Sequence, residues 1–266
     1  VSRLFYENNL IGCAYAEPYA GGAGLALRLL FEEYVERIYV NDLDRSIYAF
    51  WNAVLTRAEA LCGWIEDVPV TMESWREYKG VQDNAASADL FELAKSTFFL
   101  NRTNVSGVIK GGVIGGREQR GRFKIDARFN KADLVERIKK ISRFRDRIHL
   151  SNLDGLAFVR KMDSAKEEVF IYLDPPYVQK GADLYMNFYA KADHQRLAQK
   201  VHRMKKRWMV SYDHHDFIIN LYGSKKKLLY KLSQSASNRV GDEVLIFSDA
   251  LQFRQSMAHL ASPSAV

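Results

Sequence analysis

The sequence predicts an α/β fold, a mostly parallel sheet wound with helices and interrupted by a mainly helical insertion. Three observations predict it. Residues 13–42 read as strand, glycine turn, helix, strand and acid. Residues 53–147 lose that alternation. Residues 148–266 regain it around a short apolar strand that runs into Asp174-Pro175-Pro176-Tyr177. Strands alternating with helices argue for parallel pairing. A glycine turn between the first strand and its helix makes the arrangement Rossmann-like.

Taken in order, residues 2–9 read as the end of an amphipathic helix, 13–17 as a strand and 18–24 as the glycine turn. Leu25, Leu29, Leu30 and Tyr34 fall at helical spacing over residues 25–36. A second strand, 38–40, ends at Asn41-Asp42. Helical stretches follow at 53–66, 72–79 and 87–99. Gly107, Gly111, Gly112, Gly115, Gly116 and Gly121 then crowd one segment, which reads as a flexible loop or hairpin, and 131–146 resume as a basic helix. The later elements are strands 149–152 and 168–173, a helix at 191–206 with Asp193 as N-cap, and strand 208–212 ending at Asp213. A short helix at 214–222 and an antiparallel edge pair, 227–232 with 243–247, complete the sheet, and 261–266 fray. The domains are therefore 1–52 with 148–266, interrupted by 53–147.

Composition narrows the function. Cys13 and Cys62 make neither a disulfide framework nor a C-x-x-C pattern, which suits a reducing cytoplasm. No apolar run approaches the ~18–20 residues that span a bilayer, and no secretory signal is present. The chain begins at Val1 rather than Met and reads as the interior of a longer protein. Residues 117–147 carry twelve Lys/Arg against five Asp/Glu, a surplus equal to the net charge of +7 of the whole chain. Smaller basic clusters lie at 200–207 and 225–227. Such concentration suits a polyanion, because neutralised phosphates release counterions; a solvated helix face is the plainer explanation. His214-His215 is no metal pair, since neighbours on a helix do not share a face. His194 reads as a packing or capping residue.

Two motifs carry chemistry. Consecutive prolines have no backbone donors, so Asp174 and Tyr177 are held rigidly where a buried strand ends, the place where open α/β sheets bind ligands. In Glu17-Pro18-Tyr19-Ala20-Gly21-Gly22-Ala23-Gly24 the glycines permit close backbone approach and a sharp turn into a helix. Gly24 and Asp42 stand 18 residues apart, near the ~20 expected when an acid grips a ribose. Joined to Asp42, the turn points to an adenosine-type nucleoside, and the missing third glycine spacing of a hydride-cofactor fingerprint argues against a nicotinamide cofactor.

In this order the motifs resemble the Dam-type adenine-specific DNA methyltransferases, in which a glycine-rich cofactor motif precedes a target-recognition insertion and Asp-Pro-Pro-Tyr. Softer likenesses are Phe99-Leu100-Asn101-Arg102 with Gly107, Phe188 through His194 to Leu197, Ser211-Tyr212-Asp213, and Asn238-Arg239 before Glu243-Val244-Leu245-Ile246. The resemblance implies a methyltransferase sheet that uses S-adenosylmethionine. The turn from Glu17 through Pro18, Tyr19, Ala20, Gly21 and Gly22 to Gly24 would lie against its methionine part, Asp42 would accept from both ribose hydroxyls, and Asp154 would accept from the adenine amine. Asp154 also reads as an ordinary turn aspartate before Gly155.

The implied acceptor is the exocyclic amine of adenine, whose lone pair is delocalised into the ring. Asp174 and the Pro175 carbonyl would each accept one amine hydrogen and localise that pair, with Pro176 stiffening the motif, and the methyl would pass in one in-line displacement. Neither cysteine need act as a nucleophile. Tyr177 would stack on a base flipped from DNA, expected to be double-stranded. Flipping costs a few kcal/mol and stacking returns about 1–3 kcal/mol, so phosphate contacts must supply the rest. Arg102, Lys110, Arg117, Arg120, Arg122 and Lys124 are the DNA-contact candidates. Dam relatives carry an aromatic-Asn-Gly where this chain has Val105-Ser106-Gly107, so their GATC target does not carry over. A Gly-Lys segment usual before the glycine motif is missing as well, which points to truncation. Competing acceptors are the cytosine amine, whose enzymes favour Ser at the position of Asp174, an RNA adenine, and a protein glutamine, whose enzymes favour Asn there. A DNA-binding regulator without cofactor affinity is the competitor from another class.

Overall fold

β1 (Ala14–Glu17) is buried at every position and is flanked by two parallel neighbours, β2 (Ile38–Asn41) and β4 (Val169–Leu173). β3 (Ile148–Ser151) extends the sheet beyond β2, and β5 (Trp208–Asp213) extends it beyond β4, both in parallel. β7 (Arg239–Phe247) then pairs antiparallel with β5, and β6 (Lys226–Gln234) pairs antiparallel with β7. With the two-residue β8 (Ser264–Ala265), the order is β3-β2-β1-β4-β5-β7-β6-β8. The computed structural model describes residues 1–178, 189–234, 239–253 and 264–265. Two compact units result: Val1–Leu43 with Arg147–Val266, and Asp44–Asp146.

The sheet is covered on both faces, as a parallel sheet must be. Tyr15 and Phe170, side by side on one face, stack with centroids 6.2 Å apart. Phe5 of α1 (Ser2–Glu7) meets Phe170 edge-on at 5.1 Å. On the other face Phe158, Leu197 and Ile218 pack on Ala16, Ile171 and Val210. They come from α8 (Gly155–Asp163), α9 (Lys191–His202) and α10 (Asp216–Leu221). Strand order grows outward from β1 in one direction through β2 and β3, then restarts at β4 on the other side. The reversal leaves a crevice beyond the carboxyl ends of β1 and β4, where Glu17 and Asp174 emerge.

The second unit is helical: α3 (Arg45–Thr56), α4 (Ala58–Asp67), α5 (Met72–Asp83), α6 (Leu90–Thr103) and α7 (Lys131–Ser142). Much of the aromatic content sits here. Phe98 and Phe99 both contact Phe129, and Trp64 donates to the Tyr78 hydroxyl at 2.7 Å.

Several expectations are corrected. The insertion does not start at residue 53, which lies inside α3. Asp44 caps that helix through the Ser46 N–H, Gln82 donates to Ser46 at 2.6 Å, and Arg45 donates to the Ala88 carbonyl. The whole helix thus belongs with α5 and α6, and the boundary falls at Asp44. The helix expected over 25–36 is α2 (Gly24–Phe31). It stops early because Glu33 is left-handed, φ 57°, and the Tyr34 N–H returns to the Leu29 carbonyl in a Schellman-type end. Asp193 is not the N-cap of α9. Ala190 is, and Asp193 accepts from the Ala190 N–H at 2.9 Å. Phe188, Asn238 and most of 261–266 lie outside the described residues.

Phe170 fills the space between β1 and α1, so Phe170→Ala should cost about 3–5 kcal/mol of stability. A urea midpoint unchanged from wild type would show that α1 does not seal this face.

Candidate active site

The glycine turn is held from beneath. Asn41, the last residue of β2, is fully buried. Its side-chain amide donates to the carbonyls of Pro18 and Leu153, each at 2.9 Å, and its oxygen accepts from the Leu153 N–H and the Ser151 hydroxyl. Its main-chain carbonyl accepts from Ala20. One buried side chain at the end of β2 thereby ties together the loops after β1 and β3. Glu17 lies under the turn as well. It accepts from the Tyr15 hydroxyl at 2.7 Å and from the Ala26 N–H in the first turn of α2.

Above that support, Gly21 takes φ +47° and its N–H donates to the Asp42 carboxylate at 2.9 Å. A β-carbon at Gly22 or Gly24 would meet no atom within 4 Å, so these positions border open space. The Tyr19 ring lies over the start of α8, and a β-carbon on Gly155 would fall 2.7 Å from it. Asp154 is exposed and caps α8 through the N–H groups of Leu156 and Ala157. Gly21 and Asp42 are thus in direct contact, and Tyr19 brings the turn against the loop that carries Asp154. The open glycine face, the Asp42 carboxylate and the exposed Asp154 fit a nucleoside-bearing cosubstrate.

The Asp174-Pro175-Pro176-Tyr177 motif emerges next to this turn, since β1 and β4 are parallel neighbours. Ser211 of β5 donates to Asp174 Oδ1 at 2.8 Å, and the Tyr172 hydroxyl lies 2.8 Å from Ser211 Oγ. Because Ser211 spends its proton on Asp174, Tyr172 is the donor to Ser211. Asp174 Oδ2 receives no donor among the described residues. Burial pushes the Asp174 carboxyl up to about 6, the Ser211 hydrogen bond opposes that rise, and the Glu243 carboxylate adds to it. Burial likewise lifts Glu17 to about 8, against the pull of the Tyr15 hydrogen bond and with a further push from Asp174. Pro175 and Pro176 are buried. The Tyr177 hydroxyl donates to Glu243 Oε1 at 3.1 Å, and the Val178 N–H approaches Asp213 at 3.4 Å.

His194 is buried with Nδ1 2.9 Å from the Tyr212 hydroxyl, in a packing position. His215 caps α10 by accepting from the Phe217 N–H. Cys13 is buried, which holds its thiol at about 11, far from a thiolate nucleophile.

In the helical unit Lys110, Arg117, Arg120, Arg122 and Lys124 are exposed. The glycine-rich segment carrying them is neither a regular hairpin nor an unstructured loop. A single antiparallel bridge, Asn104 to Val113, closes its base, and buried Asn104 accepts from Trp75 Nε1 and donates to the carbonyls of Val108 and Ile109. Beyond the bridge, Gln119 donates to the carbonyls of Ile114 and Gly116 and accepts from the Ile125 N–H. Gly121 packs against Gly115 so closely that a β-carbon on it would sit 2.8 Å from the Gly115 Cα. Arg102, half-buried in α6, donates to the Asn101 side chain, and burial together with Arg128 and Arg137 lowers its pKa.

A family model for the D12 class N6 adenine-specific DNA methyltransferases matches residues 7–237. The chain belongs to that family. This methyltransferase is 24% identical over 238 residues to the Type II methyltransferase M.CviBI of Paramecium bursaria Chlorella virus NC1A, covering 86% of this chain and 85% of the viral one. Among solved structures it is similar to the TrmK of M. capricolum in complex with S-adenosyl-homocysteine, with 9% identity, a TM-score of 0.40, and coverage of 94% of this chain and 69% of that one. It is also similar to the rRNA methyltransferase AviRa of Streptomyces viridochromogenes, with 12% identity, a TM-score of 0.38, and coverage of 96% and 83%. Among the described residues, no helix is long and apolar enough to cross a membrane.

Asn41, Ser211 and Glu243 are the site residues that motif reading passes over. Asn41 and Ser211 are polar residues at or near the ends of largely apolar strands and Glu243 is an acid in the interior of β7, and a polar residue in such a place is the signal the sequence offers.

Glu17 also sets a pH dependence of stability. Its carboxyl holds a proton up to about pH 8 in the fold, against ~4.3 in an unfolded chain. Between those values the folded state binds more protons, so stability falls as pH rises, by up to about 1.4 kcal/mol per pH unit. Wild type should therefore show a higher urea midpoint at pH 6 than at pH 8, and Glu17→Gln should flatten that difference. An equal difference in the variant would assign the dependence to other groups.

Proposed function

We propose that this adenine-N6 DNA methyltransferase takes S-adenosylmethionine as its donor and acts on an adenine flipped out of duplex DNA, with Asp174, Pro175 and Tyr177 as the groups that meet the base. The observation that carries the proposal is the state of Asp174. It is a half-buried carboxylate with one oxygen fixed by Ser211 and the other without a donor among the described residues, at the edge of a crevice bordered by the glycine turn.

When bound, the donor supplies an electrophilic methyl group. The protein's part is to make a poor nucleophile adequate. Asp174 Oδ2 accepts one amine hydrogen and the Pro175 carbonyl the other, which draws the adenine nitrogen toward tetrahedral geometry and concentrates its lone pair. Tyr177 stacks on the base and Pro176 keeps the motif rigid. Asp42 accepts from the ribose hydroxyls of the donor, the turn from Tyr19 to Gly24 lies along its methionine part, and Asp154 accepts from its adenine amine. Glu17 acts from below by keeping the turn in place. Rate then comes from positioning and from acceptors fixed before the reaction. On the helical unit, Lys110, Arg117, Arg120, Arg122 and Lys124 contact phosphates or base edges, with Arg102 behind them.

The direct test is methyl transfer from labelled S-adenosylmethionine to genomic DNA, followed by mapping of the modified positions and digestion to nucleosides. The product expected is N6-methyladenine at one short sequence; label in cytosine would overturn the assignment. Asp174→Ala should lower the single-turnover rate by about a thousandfold and leave donor affinity within a few-fold by calorimetry. A near-wild-type rate in that variant would remove Asp174 from the mechanism.

The exposed cations make a separate prediction. Removing one cation that pairs with a phosphate should reduce the slope of log K against log salt by about 0.9. Arg117→Ala with Arg122→Ala should therefore weaken binding and flatten its salt dependence by up to about twice that amount. A slope identical to wild type would place both arginines away from the phosphates.

A further inference from the structure

The Tyr177 hydroxyl is held by a residue outside both the glycine turn and the Asp-Pro-Pro-Tyr motif. Glu243 lies in β7, the strand antiparallel to β5, and is 7% exposed. One of its oxygens accepts from the Tyr177 hydroxyl at 3.1 Å and the other from the Tyr230 hydroxyl at 2.6 Å. Its cross-strand partners fix its place: Asp213 of β5 on one side and Tyr230 of β6 on the other. Asp213 in turn lies 3.4 Å from the Val178 N–H, just past Tyr177. The chain leaving the Asp-Pro-Pro-Tyr motif is therefore fastened twice, by its backbone to Asp213 and by its phenol to Glu243.

A buried carboxylate is costly unless it is hydrogen-bonded, and both oxygens of Glu243 are engaged by phenols. An aromatic platform for a base needs a fixed ring plane, because a small tilt moves the target nitrogen out of line with the donor carbon. Two prolines fix the backbone before Tyr177. They do not fix rotation of its side chain, and a bond at the far end of the ring does.

We propose that Glu243 is a positioning residue for base flipping and methyl transfer, acting through the Tyr177 hydroxyl to lock the ring on which the extruded adenine stacks. The proposal rests on Tyr177 stacking against the target base, the role proposed for it in the reaction. It assigns to the antiparallel end of the sheet a function in acceptor-base geometry, separate from the cofactor half.

The test is a double-mutant cycle with Tyr177→Phe, Glu243→Gln and the double variant, alongside Tyr177→Ala. Two readouts serve: single-turnover methyl transfer on a duplex carrying the mapped site, and fluorescence of the same duplex with 2-aminopurine in place of the target adenine. Tyr177→Phe and Glu243→Gln should each slow transfer about tenfold, the scale of one hydrogen bond to a charged group. The double variant should be no slower than the slower single, since both act on the same charged bond, one by deleting its donor and the other by neutralising its acceptor. Both singles should shift the bound 2-aminopurine signal alike, with the dissociation constant for S-adenosylmethionine within about twofold of wild type. Tyr177→Phe leaves Glu243 its bond to Tyr230, so it probes the contact even if Glu243→Gln folds poorly. A wild-type rate in Tyr177→Phe, or fully multiplicative losses in the double variant, would overturn the positioning role. A wild-type rate and signal in Tyr177→Ala would overturn the stacking role itself, and the positioning role with it.

Discussion

Ser211 donates one hydrogen bond to Asp174, and the charge and orientation of that carboxylate depend on the bond. Removing a carboxylate from water raises its proton affinity, and the nearby Glu243 raises it further. Both effects favour the protonated form, in which one oxygen is a donor rather than an acceptor. The serine proton opposes them and the group settles at about 6. Tyr172 completes the arrangement by occupying the acceptor side of Ser211, which leaves the serine proton pointing at Asp174. A hydroxyl can rotate; between a phenol and a carboxylate it has one orientation that satisfies both.

Glu17 and Asp174 leave adjacent parallel strands, and two like charges there would repel. Their environments separate them. Glu17 sits deeper and keeps its proton to about pH 8, so at neutral pH Asp174 has no ionised neighbour on the β1 side. This is the general pattern in which two carboxyls take different roles because burial pulls their titrations apart. Asn41 does comparable work with no charge at all. It satisfies four groups, one in the loop after β1 and three at or just after the end of β3, and so holds the glycine turn from its underside.

The parts of the fold legible in the sequence are those governed by local rules. The glycine turn, the acid after β2 and the proline pair each restrict the backbone where they stand, and the structure puts Gly21 on Asp42 and Asp174 beside the turn. The start of the helical unit is not legible, because α3 follows an acid that reads equally well as the end of the first α/β segment. Tertiary contacts attach it to α5 and α6: the Gln82 bond, the Arg45 bond to the turn before α6, and the stacking of Phe50 on Phe98. The glycine-rich loop misleads for a related reason. Glycine density signals freedom when a segment is read alone, yet a β-carbon on Gly121 would strike the Gly115 backbone and one on Gly115 the Phe123 carbonyl, and Gln119 bonds across the loop in a way no spacing rule encodes. Ser211 and Glu243 fall within stretches of soft family likeness that assign them no role, since their importance comes from partners 37 and 66 residues away.

The antiparallel end of the sheet has a consequence of its own. A parallel strand beside β5 would bring only its carboxyl end to the crevice, followed by a loop. β7 instead runs back past the end of β5 in the middle of its length, paired on both sides, so Glu243 is presented from a strand interior between Asp213 and Tyr230. Side chains alternate strictly along a strand, and a slip of one residue would turn Glu243 to the opposite face of the sheet. On that opposite face Val244 and Ile246 are fully buried in the core with Tyr212 and Ile218, so a slip would drive a carboxylate into an apolar cluster. The hydrophobic alternation of β7 thereby holds in place a polar contact that it does not itself make, and the geometry around Tyr177 inherits the stability of the core beneath it.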